Sequence, residues 1–237
     1  MNILAIDTST YVMGVALLKD GVPVGEMVTH EKKNHSIRLM PAIRALFNEV
    51  EMEPKDLDRM VVSEGPGSYT GVRIGVTTAK TLAWSLGVPV VGVSSMEMLA
   101  QNGRYFQGVV SPFFDARRGQ VFTGLYRGAE GTMVSEKEDC MTIHEQWLTS
   151  LKELDEPVLF LSPDIDKHEE LITEILGDLA VFGSAIDCLP RPLELAVVGM
   201  NAIVDKQETH TFSPNYHRLA EAEAKWLEAN KNNVRDN

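Results

Sequence analysis

Apolar and polar positions along this chain fall into blocks whose period changes, and each change predicts an element. Residues 2–7 form a short apolar run ending in Asp7, three small hydroxyl residues follow, and a second run over 12–18 leads to Lys19-Asp20-Gly21. An Asp-Gly pair between apolar runs predicts a β-hairpin, with a third strand over 22–30. The period then lengthens. Leu39, Ile43, Leu46, Phe47 and Val50 share one face of a helix that opens at Asn34 or His35. Pro41 lies inside this pattern and predicts a distorted first turn or a late start, because proline lacks an amide donor and crowds the turn before it. Ile37, Met40 and Arg44 fall beside the apolar stripe, which leaves Met40 and its neighbours for a second surface.

A strand over 59–63 feeds the most informative stretch, EGPGSYTGVRIGVTTAKTLAWSLG at 64–87. Gly65, Pro66 and Gly67 make a turn, and Thr70 offers a capping oxygen. Val72, Val76, Ala79, Leu82, Ala83 and Leu86 then recur at helical spacing until Gly87 and Pro89 stop the run. Gly71 and Gly75 sit one turn apart inside this helix, where each glycine costs about 1 kcal/mol relative to alanine. Something must approach that face closely: a phosphate, a neighbouring backbone or a second protein. Next comes a β-branched run over 88–93, a buried parallel strand, and Ser94 and Glu97 stand at capping-box spacing for a short helix.

The pattern then restarts. Residues 109–115 form an apolar run ending in Asp115, Ala116-Arg117-Arg118-Gly119 make a turn, and 120–126 form a second strand. ILAIDTST with GVALL and VSPFFDARRGQVFTGLY are one physical phrase written twice, which predicts two similar lobes, 1–106 and 107–237. Beyond it the expected elements are a helix over 143–154, a strand over 157–161, a helix over 165–176, a strand over 179–182 and a helix over 193–204. A helical tail over 219–231 ends in a fraying terminus.

Composition narrows the function. A formal net charge of −12 argues against this chain holding a polyanion by itself. No apolar run is long enough to span a bilayer, and the N-terminus lacks a signal-peptide pattern, so a cytoplasmic location is expected. Cys140 and Cys188 have no CxxC or Cys/His companions, which disfavours a metal site or a disulfide. The six histidines stand in no catalytic or metal-binding motif. Glu169-Glu170 and the Glu221/Glu223 pair look like solvated helix faces. Asp7, at a strand end before hydroxyl residues, suits facing a phosphate or metal and equally suits closing a turn, and taken alone it reads as a turn residue. The glycine-rich stretch matches neither nucleotide fingerprint, and Lys80 lies about two turns past the place of a phosphate lysine. The residues alone supply no catalytic set.

The segments ILAIDTST, GPGSYTGVRIGVTTAKTLA, VPVVGVSSMEMLA and DARRGQVF, with NYHR near the end, resemble the TsaB family, also called YeaZ. The resemblance is specific over about 1–126. It implies an α/β fold of the actin-like ATPase superfamily, two duplicated lobes each with a mixed sheet and flanking helices. It also implies a non-catalytic subunit in tRNA threonylcarbamoyladenosine synthesis that binds and activates the transferase TsaD, together with the ATPase TsaE. In TsaD the helix after the strand corresponding to VPVVGV carries an HxxxH metal pair. Here Ser95 and Leu99 take those positions, so the resemblance implies no metal site. It further implies docking through helices at 34–50 and 70–86, with Ser36, Leu39, Met40, Ile43, Phe47, Arg73, Val76, Thr77 and Lys80 at the contact. The same face can form a homodimer when the chain is alone. No cofactor is expected on the isolated chain; ATP or ADP and metal belong to partner subunits or the complex interface, and tRNA is met only through the complex. Two rivals are a glycoprotease-like hydrolase using Ser68 or Ser95, and a stand-alone nucleotide-binding enzyme using Asp7 and the glycine-rich loop.

Overall fold

The computed structural model describes residues 1–202 and 211–215. Its first sheet opens with β1 (Ile3–Asp7), antiparallel to β2 (Met13–Lys19), which is antiparallel to β3 (Val22–Thr29). Asp20 and Gly21 close the first hairpin at φ 53° and 78°, the type I′ geometry whose twist matches that of paired strands. Then follow α1 (His35–Glu49), β4 (Arg59–Gly65), α2 (Tyr69–Leu86), β5 (Val90–Ser94) and α3 (Ser95–Ala100). β4 is parallel to β1 and β5 to β4, giving the order β3-β2-β1-β4-β5.

The second half repeats this topology. β6 (Val109–Arg117), β7 (Gln120–Ala129) and β8 (Thr132–Ile143) form the antiparallel part, and α4 (His144–Lys152), β9 (Val158–Leu161), α5 (Glu169–Leu176), β10 (Ala180–Phe182) and α6 (Pro192–Met200) complete it. The sheet order β10-β9-β6-β7-β8 is the first sheet's order read from the other end, with the same parallel and antiparallel pairings. Two duplicated lobes, each with a five-stranded mixed sheet and flanking helices, are therefore present. β8 is the strand that sequence reasoning omitted. Glu130 and Gly131 at φ 53° and 81° make its hairpin as Asp20-Gly21 makes the first.

Both faces of each sheet are covered, so neighbouring strand residues belong to different cores. On β1, Leu4 and Ile6 pack under α1 and α2, while Ile3 and Ala5 pack against Leu195 and Ala196 of α6. In the second lobe, Val109, Phe113, Val158 and Phe160 face α4 and α5, and Val110, Phe114 and Leu161 face Met96 and Leu99 of α3. Each lobe thus lends its third helix to the other lobe's sheet. A division at 106/107 separates the two sheets but leaves α6 on the first.

Ion pairs hold α6 in place. Arg191 pairs with Glu26, which also accepts from the Leu193 amide at 3.1 Å, and Arg104 pairs with Glu194. At the other end Arg59 Nη1 donates to the carbonyls of Gly199, Met200 and Ala202 at 2.6, 3.1 and 3.0 Å, capping groups that no helical amide can reach. The helix ends at Met200 rather than continuing to 204, and the expected tail helix over 219–231 lies outside the described residues.

Candidate docking face and the cleft between the lobes

α1 begins at His35, not late. The Asn34 side chain accepts from the Ser36 amide at 3.0 Å and caps it, and Pro41 is accommodated inside the helix. His35 is buried and its Nε2 lies 2.8 Å from the Thr10 carbonyl, tying the helix start to the first hairpin. α2 is capped by Ser68 rather than Thr70: the Ser68 hydroxyl accepts from the Gly71 amide. The helix stops at Gly87, whose φ of 69° places it in the left-handed region.

The structure settles why glycines recur in this stretch. A Cβ on Gly67 would lie 2.3 Å from the Ser9 carbonyl oxygen, one on Gly71 2.1 Å from the Thr8 carbonyl oxygen, and one on Gly75 2.5 Å from Thr8 Oγ1. What approaches is the chain's own turn after β1. The Ser68 amide donates to the Ser9 carbonyl at 2.7 Å and Thr8 Oγ1 donates to the Gly71 carbonyl at 2.7 Å. Of the donors at the start of α2, the Ser68 amide is committed to this contact and the Gly71 amide to the Ser68 hydroxyl. The close approach that the glycines permit is a seam inside the lobe.

The nine residues expected at the contact divide by direction. Leu39, Ile43, Phe47 and Val76 are buried in the first lobe's own core. They hold α1 and α2 to the sheet and cannot form an outer face; their spacing is the core stripe. Ser36, Met40, Arg73 and Thr77 point outward and Lys80 is half-buried. Ile37, which the sequence places beside the apolar stripe, is 70% exposed; sequence reasoning missed Trp84, also 70% exposed, and Tyr69, whose ring lies under the Arg73 guanidinium with Arg73 Nη1 donating to its hydroxyl at 2.6 Å. The outer side of these two helices thus carries Ile37, Met40, Tyr69 and Trp84 among polar residues. Exposed aromatics and aliphatics gathered on neighbouring helices signal an interaction surface more than single scattered ones do.

The cleft between the lobes is acidic. Glu64 of β4, Glu97 of α3 and Asp139 of β8 converge there, and Asp139 accepts from the hydroxyls of Ser94 and Tyr126. Burial, then the Asp139 charge, pushes the Glu64 carboxyl above its ordinary range. Glu97 is pushed up by burial, Asp139 and Glu64 in that order. Asp7 is wholly buried, accepts from the Ser9 amide at 2.9 Å, and is pushed up mainly by burial. Among the described residues no three His, Cys, Asp or Glu side chains are arranged to hold a metal ion.

In the second lobe His144 opens α4 as His35 opens α1. Its Nδ1 lies 2.8 Å from His168 Nδ1, and both rings pack on Phe113. Burial, then the neighbouring His168, pushes His144 down to about 3.

Comparison with known proteins decides the family. Residues 25–226 match the family model described as TsaD: tRNA N6-adenosine threonylcarbamoyltransferase. The tRNA threonylcarbamoyladenosine biosynthesis protein TsaB of Bacillus subtilis (strain 168) is 52% identical over 231 residues, covering 98% of this chain and 100% of that one. The chain belongs to the TsaB family. TsaB of Escherichia coli (strain K12) is 28% identical, covering 88% of this chain and 93% of its own. A Pseudomonas aeruginosa crystal structure, described as an uncharacterized protein with similarity to peptidase YEAZ, superposes with a TM-score of 0.76 at 26% identity over 92% of this chain and 99% of that one.

The residues of the hydrolase alternative sit poorly for that chemistry in this TsaB-family protein. Ser95 is fully buried and shares its hydroxyl with Ser63 Oγ at 2.6 Å, while Ser68 Oγ is engaged in capping α2. Leu99 packs in the core under the second sheet. No helix among the described residues is long and apolar enough to cross a membrane.

Proposed function

We propose that this TsaB-family protein is a non-catalytic, cytoplasmic subunit that docks on TsaD and activates threonylcarbamoyl transfer to tRNA, with TsaE joining the larger assembly. The outward face of α1 and α2 carries the reading. Two helices whose inner stripes already fill a core still present Ile37, Met40, Tyr69 and Trp84, and packing a second helix pair there makes a four-helix layer. Burying an exposed Trp, Ile or Met fully contributes about 1.5–3 kcal/mol each, so a few such anchors ringed by Ser36, Arg73 and Thr77 suffice for a specific contact. The acidic cleft and the seam of Thr8 and Ser9 against α2 support leaving nucleotide and metal chemistry to the partners.

Met40→Asp and Thr77→Asp place unpaired charge on this face without touching the core. Each is expected to abolish co-purification with TsaD while leaving the unfolding midpoint unchanged. Ile43→Asp is a poor test, because that side chain is buried and the variant unfolds the lobe. Retained binding in both surface variants would remove the face from consideration.

A further inference from the structure

Residues 211–215 lie beside α2 at the edge of the first sheet. Phe212 packs against the first-lobe core, its carbonyl accepts from Lys80 Nζ at 2.5 Å, and the Asn215 amide donates to the Glu64 carbonyl at 2.9 Å. Two glycines shape the seat. A Cβ on Gly92 would stand 2.7 Å from the Phe212 ring, and one on Gly65, already at φ 110°, would stand 2.9 Å from the Asn215 carbonyl oxygen. The segment therefore occupies a groove that larger residues would close.

Its two ends matter separately. Lys80 follows Arg73 and Thr77 and precedes Trp84 on the same stripe of α2, at steps of three and four residues, so it stands at the rim of the outward face. Glu64 is the cleft residue whose carboxylate feels Asp139 of the opposite lobe. One short segment thus touches both places, and its anchor on α2 is a charged donor to a carbonyl, one of the stronger classes of hydrogen bond.

We infer that residues 211–215 form a strap that positions Lys80 on the rim of the docking face and couples that face to the cleft, so that a partner seated on α2 tightens the strap. The coupling half rests on the docking reading above; the positioning half does not.

Hydrogen exchange at the Asn215 amide tests both halves in the full-length chain. In the isolated protein, Lys80→Met is expected to speed that exchange about tenfold, the equivalent of one charge-assisted hydrogen bond, with α1 amides unchanged. Phe212→Ala should do the same through lost packing. Adding TsaD to the wild type is expected to slow the exchange about tenfold or more. Unchanged exchange in both variants overturns the positioning role, and unchanged exchange on a chain with TsaD bound overturns the coupling. Failure of TsaD to bind at all defeats the docking reading and the coupling together. The isolated-chain comparison still decides the strap.

Discussion

Replacing Gly71 by alanine sets helix propensity against packing. Propensity alone favours alanine by about 1 kcal/mol. In place, the new Cβ would lie 2.1 Å from the Thr8 carbonyl oxygen, where ordinary contact begins at 3.4 Å, and that oxygen belongs to backbone that cannot rotate away. Overpacking of this kind costs about 1–3 kcal/mol. Stretching the buried Thr8 Oγ1 to Gly71 bond, 2.7 Å long, costs about 1 kcal/mol more. The net expectation is a loss of about 1–3 kcal/mol, and a 2 kcal/mol loss lowers the midpoint by about 4–8 °C in a chain of this size. Gly75→Ala should cost less, since it meets the Thr8 side chain. Gly87→Ala meets nothing within 4 Å and should lose only the left-handed penalty of about 1 kcal/mol. Urea unfolding of the three variants gives the order directly. A Gly71→Ala chain as stable as the wild type would refute the seam, and with it the account of why glycines recur here.

Two further predictions concern stability. His144 is held neutral down to about 3, against an ordinary 6.5, so the unfolded state takes up a proton that the folded state refuses as pH falls below 6.5. Stability should therefore drop by about 2 kcal/mol from this group between pH 7 and 5, and urea midpoints of His144→Asn should lack that component; equal slopes in variant and wild type contradict it. Arg59→Met, which leaves three carbonyls at the end of α6 without their donor, should destabilise by about 2 kcal/mol in the same assay. A change within 0.5 kcal/mol would show that water replaces the guanidinium.

Much of the fold was legible because the duplicated phrase carries its own punctuation. Asp20-Gly21 announced one hairpin, and Glu130-Gly131 announces another by the same chemistry. β8 went unread because its span, TMVSEKEDCMTI, holds a charged middle and no sustained alternation, as expected of an edge strand partly open to water. The exchange of α3 and α6 between lobes was hidden for a different reason. Both helices are short and apolar nearly all round, which signals burial but not the sheet that provides it.

The docking face shows the sharpest limit of sequence reading. Leu39, Ile43 and Phe47 recur every four residues and Met40 is one step away, so periodicity names a stripe without saying which side meets the protein's own sheet. Burial assigns the stripe inward and leaves Ile37 and Met40 outside. The glycine-rich loop posed the same difficulty. Close approach was implied by Gly71 and Gly75, but only the positions of Thr8 and Ser9 show that the approaching group is the chain itself.

Reconstitution of threonylcarbamoyl transfer with TsaD and TsaE, in the presence and absence of this chain, tests the central claim most directly. The account predicts transfer that requires the wild-type chain and is lost with Met40→Asp and Thr77→Asp. Transfer that proceeds equally well without the chain would contradict it.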